Sequence, residues 1–502
     1  MSHTSASSAD DLDGIVVQVV AAKSRRATSR RGEAAGTAPT FSDDYQRDDQ
    51  DILVSNEHPI SGSYSYNDLI GSCQITSSLG EDVGISWYKA MFLIVNAALG
   101  AGLLNFPKSF EESGGLVSGN VVHIVFTSFA LGSLIILGRC CSERNCKTYQ
   151  ELILHMVSPG WSVFSAVCIT LYCYVTCITF IIIIGDQFDR IFASYIGSDF
   201  CRNWYLSRQF TMTISSLLLI IPSLFKRIDS ARFMSYVGVL SIWYLCAVIV
   251  VEYFTGDYKR GNIIIWDVKW TKVFDVVPTI CFGYQCHVSS IPIYSCLKKK
   301  DAPTFSKACV TAVLVCLAVY TLSANFGYLT FGTFVDGDVL LSYDATKPWV
   351  LIAVILLAVK SWTTYPILLF CVREAVSDIY VQCRHQTPVE AALYEPRRRT
   401  VIAIILWGSS IILAIFTPNI NIVVKLLGCL AALFIFIFPG MCLLQMTLSG
   451  AELTGRPYSG KDYALLVVSV GYIVLGSFAL GLSFTTGIQH ILKPDIVIPI
   501  CI

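Results

Sequence analysis

Long apolar stretches separated by short polar ones run through the chain from about residue 87 onward. Most approach the roughly 20 residues that an α-helix needs to cross a bilayer. We count eleven candidate spans, at 87–107, 114–138, 161–185, 208–225, 232–254, 273–296, 308–333, 348–371, 400–417, 420–447 and 463–487. The pattern predicts an all-α polytopic membrane protein with eleven transmembrane helices in a domain covering residues 87–488.

The first predicted span is interrupted by the sequence Gly100-Ala101-Gly102. Unpaired backbone groups are costly in hydrocarbon, so such a break is tolerated only where it lines a cavity or is buried in protein. The sixth span is interrupted in turn by Pro278, Gly283 and Pro292. If spans one to five and six to ten are inverted halves, the two breaks are equivalent, which is typical of transporter sites. We therefore predict a 5+5 inverted repeat plus one helix.

Composition excludes several other classes of protein. Only 14% of residues are charged, against roughly 25% in soluble domains. The net charge is zero and no basic run is interleaved with aromatic residues, so nucleic acid is not an expected partner. Cys140, Cys141 and Cys146 share one loop but lack a histidine partner, so no zinc site is expected. No catalytic triad, phosphate-binding loop or carboxylate pair emerges, so we predict neither enzyme activity nor a cofactor.

The chain before the first span differs from the rest in composition. Residues 1–86 are rich in Ser, Asp, Gly and Ala, which is typical of a disordered tail, and no cleavable signal peptide is expected. Lys and Arg are more frequent in the loops that share a side with this tail. The positive-inside rule therefore places the tail in the cytosol and the short C-terminal tail, 489–502, on the lumenal or extracellular side. Tyr66–Leu69 has the form of a tyrosine-based signal for sorting adaptors.

The break in the first span is suited to binding an anionic group. Amide N–H groups at the start of a half-helix attract anions such as the carboxylate of an amino acid. Gly100, Ala101, Gly102 and Leu103 are the predicted donors. Glycine favours close approach of a ligand because it has no Cβ.

Polar residues follow the break in the sixth span. Gly283 and Gln285 are predicted to contact substrate, because a polar cluster at a helix break can read a polar side chain by hydrogen bonds. His287 has two interpretations. It either titrates and contributes to pH sensing or coupling, or is tied to a neighbouring helix.

Asn96 lies one turn before Gly100 and so on the same helix face. Its side-chain oxygen could bind a hard cation, or its amide could bond to a neighbouring helix. In the eighth span the hydroxyls of Thr363 and Thr364 are possible cation ligands, although such hydroxyls usually bond to the carbonyl one turn earlier. Lys360 is an intramembrane lysine and hence a candidate functional residue. An ammonium reaching the cation site would replace or compete with sodium, which would indicate proton coupling.

Three segments resemble the sodium-coupled neutral amino acid transporters, which are of the amino acid/auxin permease type. They are Asn96–Pro107, Pro278–Ser290 and Thr363–Pro366, and the resemblance extends over about residues 85–490. Within that family the sixth-span segment is similar to the lysosomal exporter of glutamine and asparagine. The resemblance implies a fold of the bacterial leucine-transporter type, with substrate at the Gly100–Gly102 break. It also implies sodium between spans one and eight, at Asn96, Ala97, Thr363 and Thr364. Lys360 departs from the family pattern.

These observations predict a sodium-coupled secondary transporter of neutral amino acids, glutamine and asparagine in particular, that works by alternating access. A proton-coupled carrier of the same fold is one alternative, motivated by Lys360 and His287. An amino-acid sensor without net transport, signalling through its tail, is another. The resemblance and the Tyr66–Leu69 motif favour the lysosomal membrane, with the plasma membrane as the alternative.

Overall fold

Helices account for nearly all of the chain that the structure, a computed structural model, describes. The described residues are 84–197, 203–224, 231–267, 274–417, 420–454 and 457–492. The predicted sorting motif Tyr66–Leu69 and nearly all of the predicted N-terminal tail lie outside them. So do residues 493–502 of the predicted C-terminal tail. Those predictions stay predictions.

The first half of the described chain contains seven α-helices. They are α1 (Trp87–Ala98), α2 (Phe106–Glu112), α3 (Leu116–Arg144), α4 (Tyr149–Met156), α5 (Pro159–Ile196), α6 (Arg208–Ser223) and α7 (Ala231–Thr255). Short 3-10 turns lie at Ala101–Asn105 and Trp204–Leu206. The amphipathic helix α4 was not among the predicted elements. Its start is marked by a capping box, in which the Thr148 side chain accepts from the Glu151 N–H and the Glu151 carboxylate accepts from the Thr148 N–H.

The second half contains ten. They are α8 (Val277–Gly283), α9 (His287–Ser295), α10 (Ala302–Phe331), α11 (Val339–Ser342), α12 (Pro348–Cys383), α13 (Pro388–Leu393), α14 (Glu395–Phe416), α15 (Ile420–Ala432), α16 (Phe438–Thr454) and α17 (Gly460–Leu492). Helix α10 begins where Asp301 caps the Thr304 N–H and ends at Gly332, whose φ of 57° is left-handed and favours glycine. A π-helical turn, Leu433–Ile437, joins α15 to α16 within one long span.

Eight helical segments in the described ranges are long and apolar enough to cross a membrane. A ninth is the first span, in which the pair Trp87–Ala98 and Ala101–Glu112 is bent by 50°. Helix α6, with 16 residues, and the halves of the sixth span, with 7 and 9 residues, are each too short alone. Side chains on the outer surface, such as Leu218, Leu240 and Val467, are apolar and exposed, as lipid contact requires. The protein is a multi-pass membrane protein, and eleven spans with an inverted repeat remain a prediction.

One end of the bundle, here called the inner end, is the end at which α1 begins. Ile85 forms an isolated parallel bridge with Leu297, just after α9. The Ile85 N–H donates to the Cys296 carbonyl (2.8 Å), and the Lys298 N–H donates to the Ile85 carbonyl (2.9 Å). Gly84 lies so close to Lys298 that a Cβ would sit 2.4 Å from the Lys298 Cα. The start of the first span and the end of the sixth are thus joined at this end.

The opposite end, here called the outer end, contains the ends of α7 and α10 and the start of α12. The Gly261 N–H, after α7, donates to the carbonyl of Phe331, the last residue of α10 (2.8 Å). Lys347, before α12, pairs with the fully buried carboxylate of Glu252 in α7 (2.7 Å). Gln187, near the end of α5, contacts Asp338 in the loop before α11. Helix α5 therefore runs from the inner to the outer end. Helix α12 runs the other way.

Candidate functional site

The two interrupted spans contact each other at their breaks. Helix α1 ends at Ala98, and the extended backbone of Leu99 and Gly100 leads into the 3-10 turn. Helix α8 ends at Gly283, and α9 begins at His287. Gly102 packs on Gly283 so closely that a Cβ on Gly102 would lie 3.0 Å from the Gly283 Cα. Gly102 is therefore favoured by this close approach, whereas a Cβ on Gly100 would meet only the Ala98 carbonyl, at 3.8 Å, and Gly100 has no left-handed φ.

A cavity of about 250 Å³ lies beside these breaks. Its walls come from α1 and the first break, from α5 and α7, from the sixth span and from α12. The structure brings together nine of the predicted site residues as lining: Asn96, Ala97, Gly100, Ala101, Gly102, Gln285, Lys360, Thr363 and Thr364. Residues distant in sequence thus form one chamber, as the paired-break prediction requires.

Three predicted site residues lie elsewhere. Leu103 is fully buried, and its N–H donates to the Gly100 carbonyl (3.3 Å) within the turn. Gly283 is buried at the contact between the breaks. His287 is buried against α3, with Nε2 2.6 Å from the Ser133 hydroxyl and 3.2 Å from the Ala130 carbonyl. The geometry of His287 fits its interpretation as a residue tied to a neighbouring helix.

The proposed cation ligands line the same cavity from two helices, α1 and α12. The hydroxyls of Thr363 and Thr364 each donate to the Lys360 carbonyl, both at 2.8 Å. Since a donating hydroxyl keeps its lone pairs, both oxygens can still bind a cation. Asn96 of α1 lies beside Gly238 of α7, where a Cβ would sit 3.8 Å from the Asn96 Oδ1.

Lys360 reaches the first break with its side chain. Its ammonium donates to the carbonyl of Leu99 at 2.5 Å, and the residue is only 4% exposed. Gly238 leaves room for the lysine stem, because a Cβ there would already contact the Lys360 Cε at 3.8 Å. A nitrogen donor of the chain's own thus lies at a carbonyl freed by the break.

Gln285 presents an amide to the cavity. The residue is 8% exposed, and its Oε1 has no hydrogen-bond partner among the described residues. A buried acceptor without a partner is costly, so a ligand that donates to it would gain affinity. The Oε1 of Gln285 is therefore placed to accept a hydrogen bond from a donor group on a bound molecule.

The cavity lies on one side of the breaks only. Its more distant lining belongs to the inner halves of α5 and α12, at Cys173, Thr176, Leu368 and Cys371 among others. On the outer side, Leu103, Leu104 and Phe106 are fully buried. The site is therefore closed toward the outer end and extends toward the inner end.

Asn105 holds that outer closure together. Its Oδ1 accepts from the hydroxyls of Ser109 (2.9 Å) and Thr279 (2.8 Å), which joins the first span to the sixth. Its Nδ2 donates to the Gly337 carbonyl (3.1 Å) in the loop before α11. Next to Gly337, Asp338 is fully buried and accepts from Gln187 Nε2 (3.0 Å). Burial, followed by the nearby Asp186 carboxylate, raises the pKa of Asp338 to about 8.

Sequence reasoning missed both Asn105 and Tyr320. Tyr320 is a fully buried residue of α10 whose hydroxyl contacts backbone carbonyls of both interrupted spans. A signal for Tyr320 was present, since a tyrosine in the middle of an apolar span needs a partner for its hydroxyl. Asn105, a polar residue immediately after the break, offered a similar signal.

Comparison with known proteins identifies the family of the chain. The family model described as transmembrane amino acid transporter protein matches residues 83–482. The chain belongs to this family of membrane transporters, which confirms the family predicted from the sequence, and it is not an enzyme.

The chain is similar to several proteins of known name. Sodium-coupled neutral amino acid transporter 7 from Homo sapiens is 38% identical over 397 residues, 77% of this chain and 85% of the relative. The protein of the same name from Danio rerio is 36% identical over 401 residues, 78% and 86% of the two chains. Solute carrier family 38 member 8 from Homo sapiens is 33% identical over 369 residues, 72% and 85%. The crystal structure of MhsT in complex with L-phenylalanine aligns at 14% identity with a TM-score of 0.48, covering 79% of this chain and 98% of that one.

Proposed function

We propose that the protein is a secondary active transporter of neutral amino acids, glutamine and asparagine in particular, driven by sodium. The observation that carries this proposal is the single cavity in which the break of the first span, the amide of Gln285 and the threonines of α12 meet. Relatives that cover most of the chain are named for sodium-coupled transport of neutral amino acids, which supports it. The transport domain has eleven spans and an inverted repeat in this proposal.

The substrate carboxylate binds at the amides of the first break, where a half-helix begins and its dipole favours negative charge. The substrate side chain meets Gln285, whose free amide oxygen accepts from the NH₂ of a glutamine or asparagine side chain. Leucine offers no such donor and would leave Gln285 unpaired. The buried acceptor therefore favours amide-bearing substrates.

Sodium binds between α1 and α12, with Asn96 and the hydroxyls of Thr363 and Thr364 as side-chain ligands and with carbonyls near Ala97 completing the set. Hard cations prefer oxygen ligands of these kinds. Transport then proceeds by alternating access, in which the outer closure opens as the inner cavity shuts. The structure corresponds to the state with the cavity on the inner side.

The second candidate is proton coupling in the same fold, and the contact of Lys360 Nζ with the Leu99 carbonyl specifically favours it. An ammonium held at a carbonyl next to the cation site can take the place of sodium. Losing and regaining its proton would then drive the cycle. For His287, the contacts with Ser133 and Ala130 of α3 support the interpretation in which it is tied to a neighbouring helix.

Uptake by the purified full-length protein in proteoliposomes separates the two candidates. Radiolabelled glutamine, asparagine and leucine are supplied under a sodium gradient, a pH gradient or neither. We expect sodium-driven glutamine uptake that Asn96→Ala weakens by about tenfold in apparent sodium affinity, as loss of one ligand of about 1.4 kcal/mol would give. Uptake driven by pH alone, abolished in Lys360→Met, would establish the proton mechanism. Amino-acid binding without uptake under any gradient would favour the other alternative, an amino-acid sensor without net transport.

Lysosomal localisation through Tyr66–Leu69 is also part of the proposal, with the N-terminus cytosolic. Adaptors that bind such motifs would recognise the tail from the cytosol. Imaging of the tagged protein with and without Tyr66→Ala tests it. A distribution that is unchanged by the substitution would remove the motif from the proposal.

A further inference from the structure

Tyr320 occupies the point at which the two interrupted spans converge. Its hydroxyl lies 2.8 Å from the Ala98 carbonyl and 2.9 Å from the Gly283 carbonyl. Ala98 is the last residue of α1, and Gly283 is the last residue of α8. One side chain from a third span therefore meets the carbonyl ends of both half-helices that precede the breaks.

Those carbonyls need a partner. The last carbonyls of a helix lack intrahelical donors and carry partial negative charge. Within membranes, such unwound ends commonly coordinate a cation. Two carbonyls that converge on one point would suit a small monovalent ion, yet here a neutral hydroxyl takes that point. Because a phenol has a single hydrogen, it donates to one carbonyl at a time and keeps contact with the other.

The Tyr320 ring is held by both spans that its hydroxyl joins. It stacks on Phe106 of the first span, with centroids 4.4 Å apart and planes 10° apart. It meets Tyr284 of the sixth span edge-on at 5.2 Å. Phe106 in turn covers Gly283, where a Cβ would lie 2.8 Å from its ring. Tyr320 is thus locked in place, as a residue that sets the relative position of the breaks must be.

We propose that Tyr320 is a positioning residue of the transport site. Its hydroxyl fixes the two breaks relative to each other and fills the place that a bridging cation would otherwise take. This inference rests on the proposed function. It adds that the coupling cation binds only between Asn96 and α12, because the Tyr320 hydroxyl already contacts the carbonyls between the breaks.

The test compares Tyr320→Phe with Tyr328→Phe in reconstituted full-length protein. Phenylalanine keeps the ring and removes only the hydroxyl. Tyr328 is a matched control, because it is a fully buried tyrosine of the same helix whose hydroxyl accepts from the Ile264 N–H (2.9 Å), away from the cavity. Glutamine uptake is measured over a range of glutamine and sodium concentrations.

In Tyr320→Phe we expect the KM for glutamine to rise by about three- to tenfold, the effect of one lost hydrogen bond. We also expect the sodium dependence to become steeper than in the wild type, as a cation enters between the exposed carbonyls, and the maximal rate at saturating sodium to be retained. Tyr328→Phe should match the wild type in these respects. A Tyr320→Phe protein with unchanged KM and sodium dependence would overturn the proposal. So would a loss of maximal rate alone, because a merely structural role predicts that result.

Thermal unfolding separates failure of this inference from failure of the proposed function. If the wild type transports nothing, purified Tyr320→Phe should still gain sodium-dependent thermal stability beyond that of the wild type, and no gain would refute the inference. If Tyr320→Phe does not fold, Phe106→Leu loosens the ring and keeps the hydroxyl. That variant should raise KM with the sodium dependence unchanged, and an unaltered KM would count against Tyr320.

Discussion

The two sides of the helix breaks are built in contrasting ways. On the inner side, residues of α5 and α12 line a cavity of about 250 Å³. On the outer side, Leu103, Leu104 and Phe106 are fully buried, and Asn105 hydrogen-bonds to both the sixth span and the loop before α11. Both sides share the same short stretch of backbone. In the proposed alternating access, a change of angle at the breaks would exchange the packed side for the accessible one.

The contrast also separates two uses of polar residues. Inside the cavity, Gln285 presents an amide oxygen without a partner among the described residues, so a ligand is needed to satisfy it. In the outer closure, the polar side chain of Asn105 is satisfied by neighbouring spans. A polar group without a hydrogen-bond partner is suited to binding a ligand, whereas a polar group with its hydrogen bonds made stabilises one conformation. The proposed alternating access needs both kinds of group.

The largest effect on stability and transport is expected from a substitution at Gly102, where the inner and outer sides meet. A methyl group on Gly102 would press on the Gly283 backbone, whereas one on Gly100 would meet only the Ala98 carbonyl at 3.8 Å. Overpacking of this kind costs about 1–3 kcal/mol. Gly102→Ala should therefore lower the melting temperature and reduce glutamine uptake by at least about tenfold. Gly100→Ala is the control and should keep the wild-type melting temperature. Equal melting temperatures for both variants would show that the breaks do not pack as described.

A smaller effect is expected from weakening the outer closure at Asn105. Asn105→Ala leaves the Ser109 and Thr279 hydroxyls and the Gly337 carbonyl without this partner, at about 1–3 kcal/mol for an unpaired buried group. The population should shift toward outward opening, so a cysteine at Leu103 should react faster with a thiol reagent applied from the outer side.

The matched control for that experiment is Asn120→Ala. Asn120 bonds through its amide to Asn325 (2.7 Å), between α3 and α10 and outside the cavity lining. This substitution should leave the labelling rate at Leu103→Cys unchanged. If both alanine variants accelerated labelling equally, general loosening of the bundle would explain the result better than loss of the closure.

The smallest effect is expected from the protonation of Asp338. Its pKa is about 8 in the closed arrangement and should fall toward the ordinary value near 4 when water enters the outer side. The closed form then binds the proton more tightly. The resulting bias toward closure is full below about pH 4 and is lost as pH rises toward 8. Asp186, Asp336 and Arg190 are the nearby charged groups that act on this equilibrium.

Labelling of the Leu103→Cys protein at several pH values, with each rate divided by that of a free thiol at the same pH to remove ionisation of the thiol itself, measures this bias. We expect labelling from the outer side to increase between about pH 5 and pH 8, by up to about tenfold for each unit by which the pKa of Asp338 falls on opening. Asp338→Asn imitates the protonated acid and should flatten that profile. A pH profile that persists in Asp338→Asn would assign the effect to another group.

Much of this arrangement could be predicted from the pattern of apolar runs and their interruptions. The Gly100–Gly102 and Gly283 breaks were predicted, and the structure places them in contact. The contacts themselves could not be predicted, because they depend on side chains meeting from distant spans. The apolar pattern therefore does not single out Tyr320 and Asn105, and it allows two interpretations of His287. Lys360 was flagged by its cost in a membrane helix, but only the structure shows which carbonyl it reaches.

The attachment of Gly84 and Ile85 to the end of the sixth span has a mechanical consequence. Ile85 is held by backbone hydrogen bonds to Cys296 and Lys298, beyond the end of α9. The beginning of the first interrupted span and the end of the sixth are therefore mechanically linked. A displacement of one of them at the inner end must carry the other with it, so the two spans move as one unit at this end.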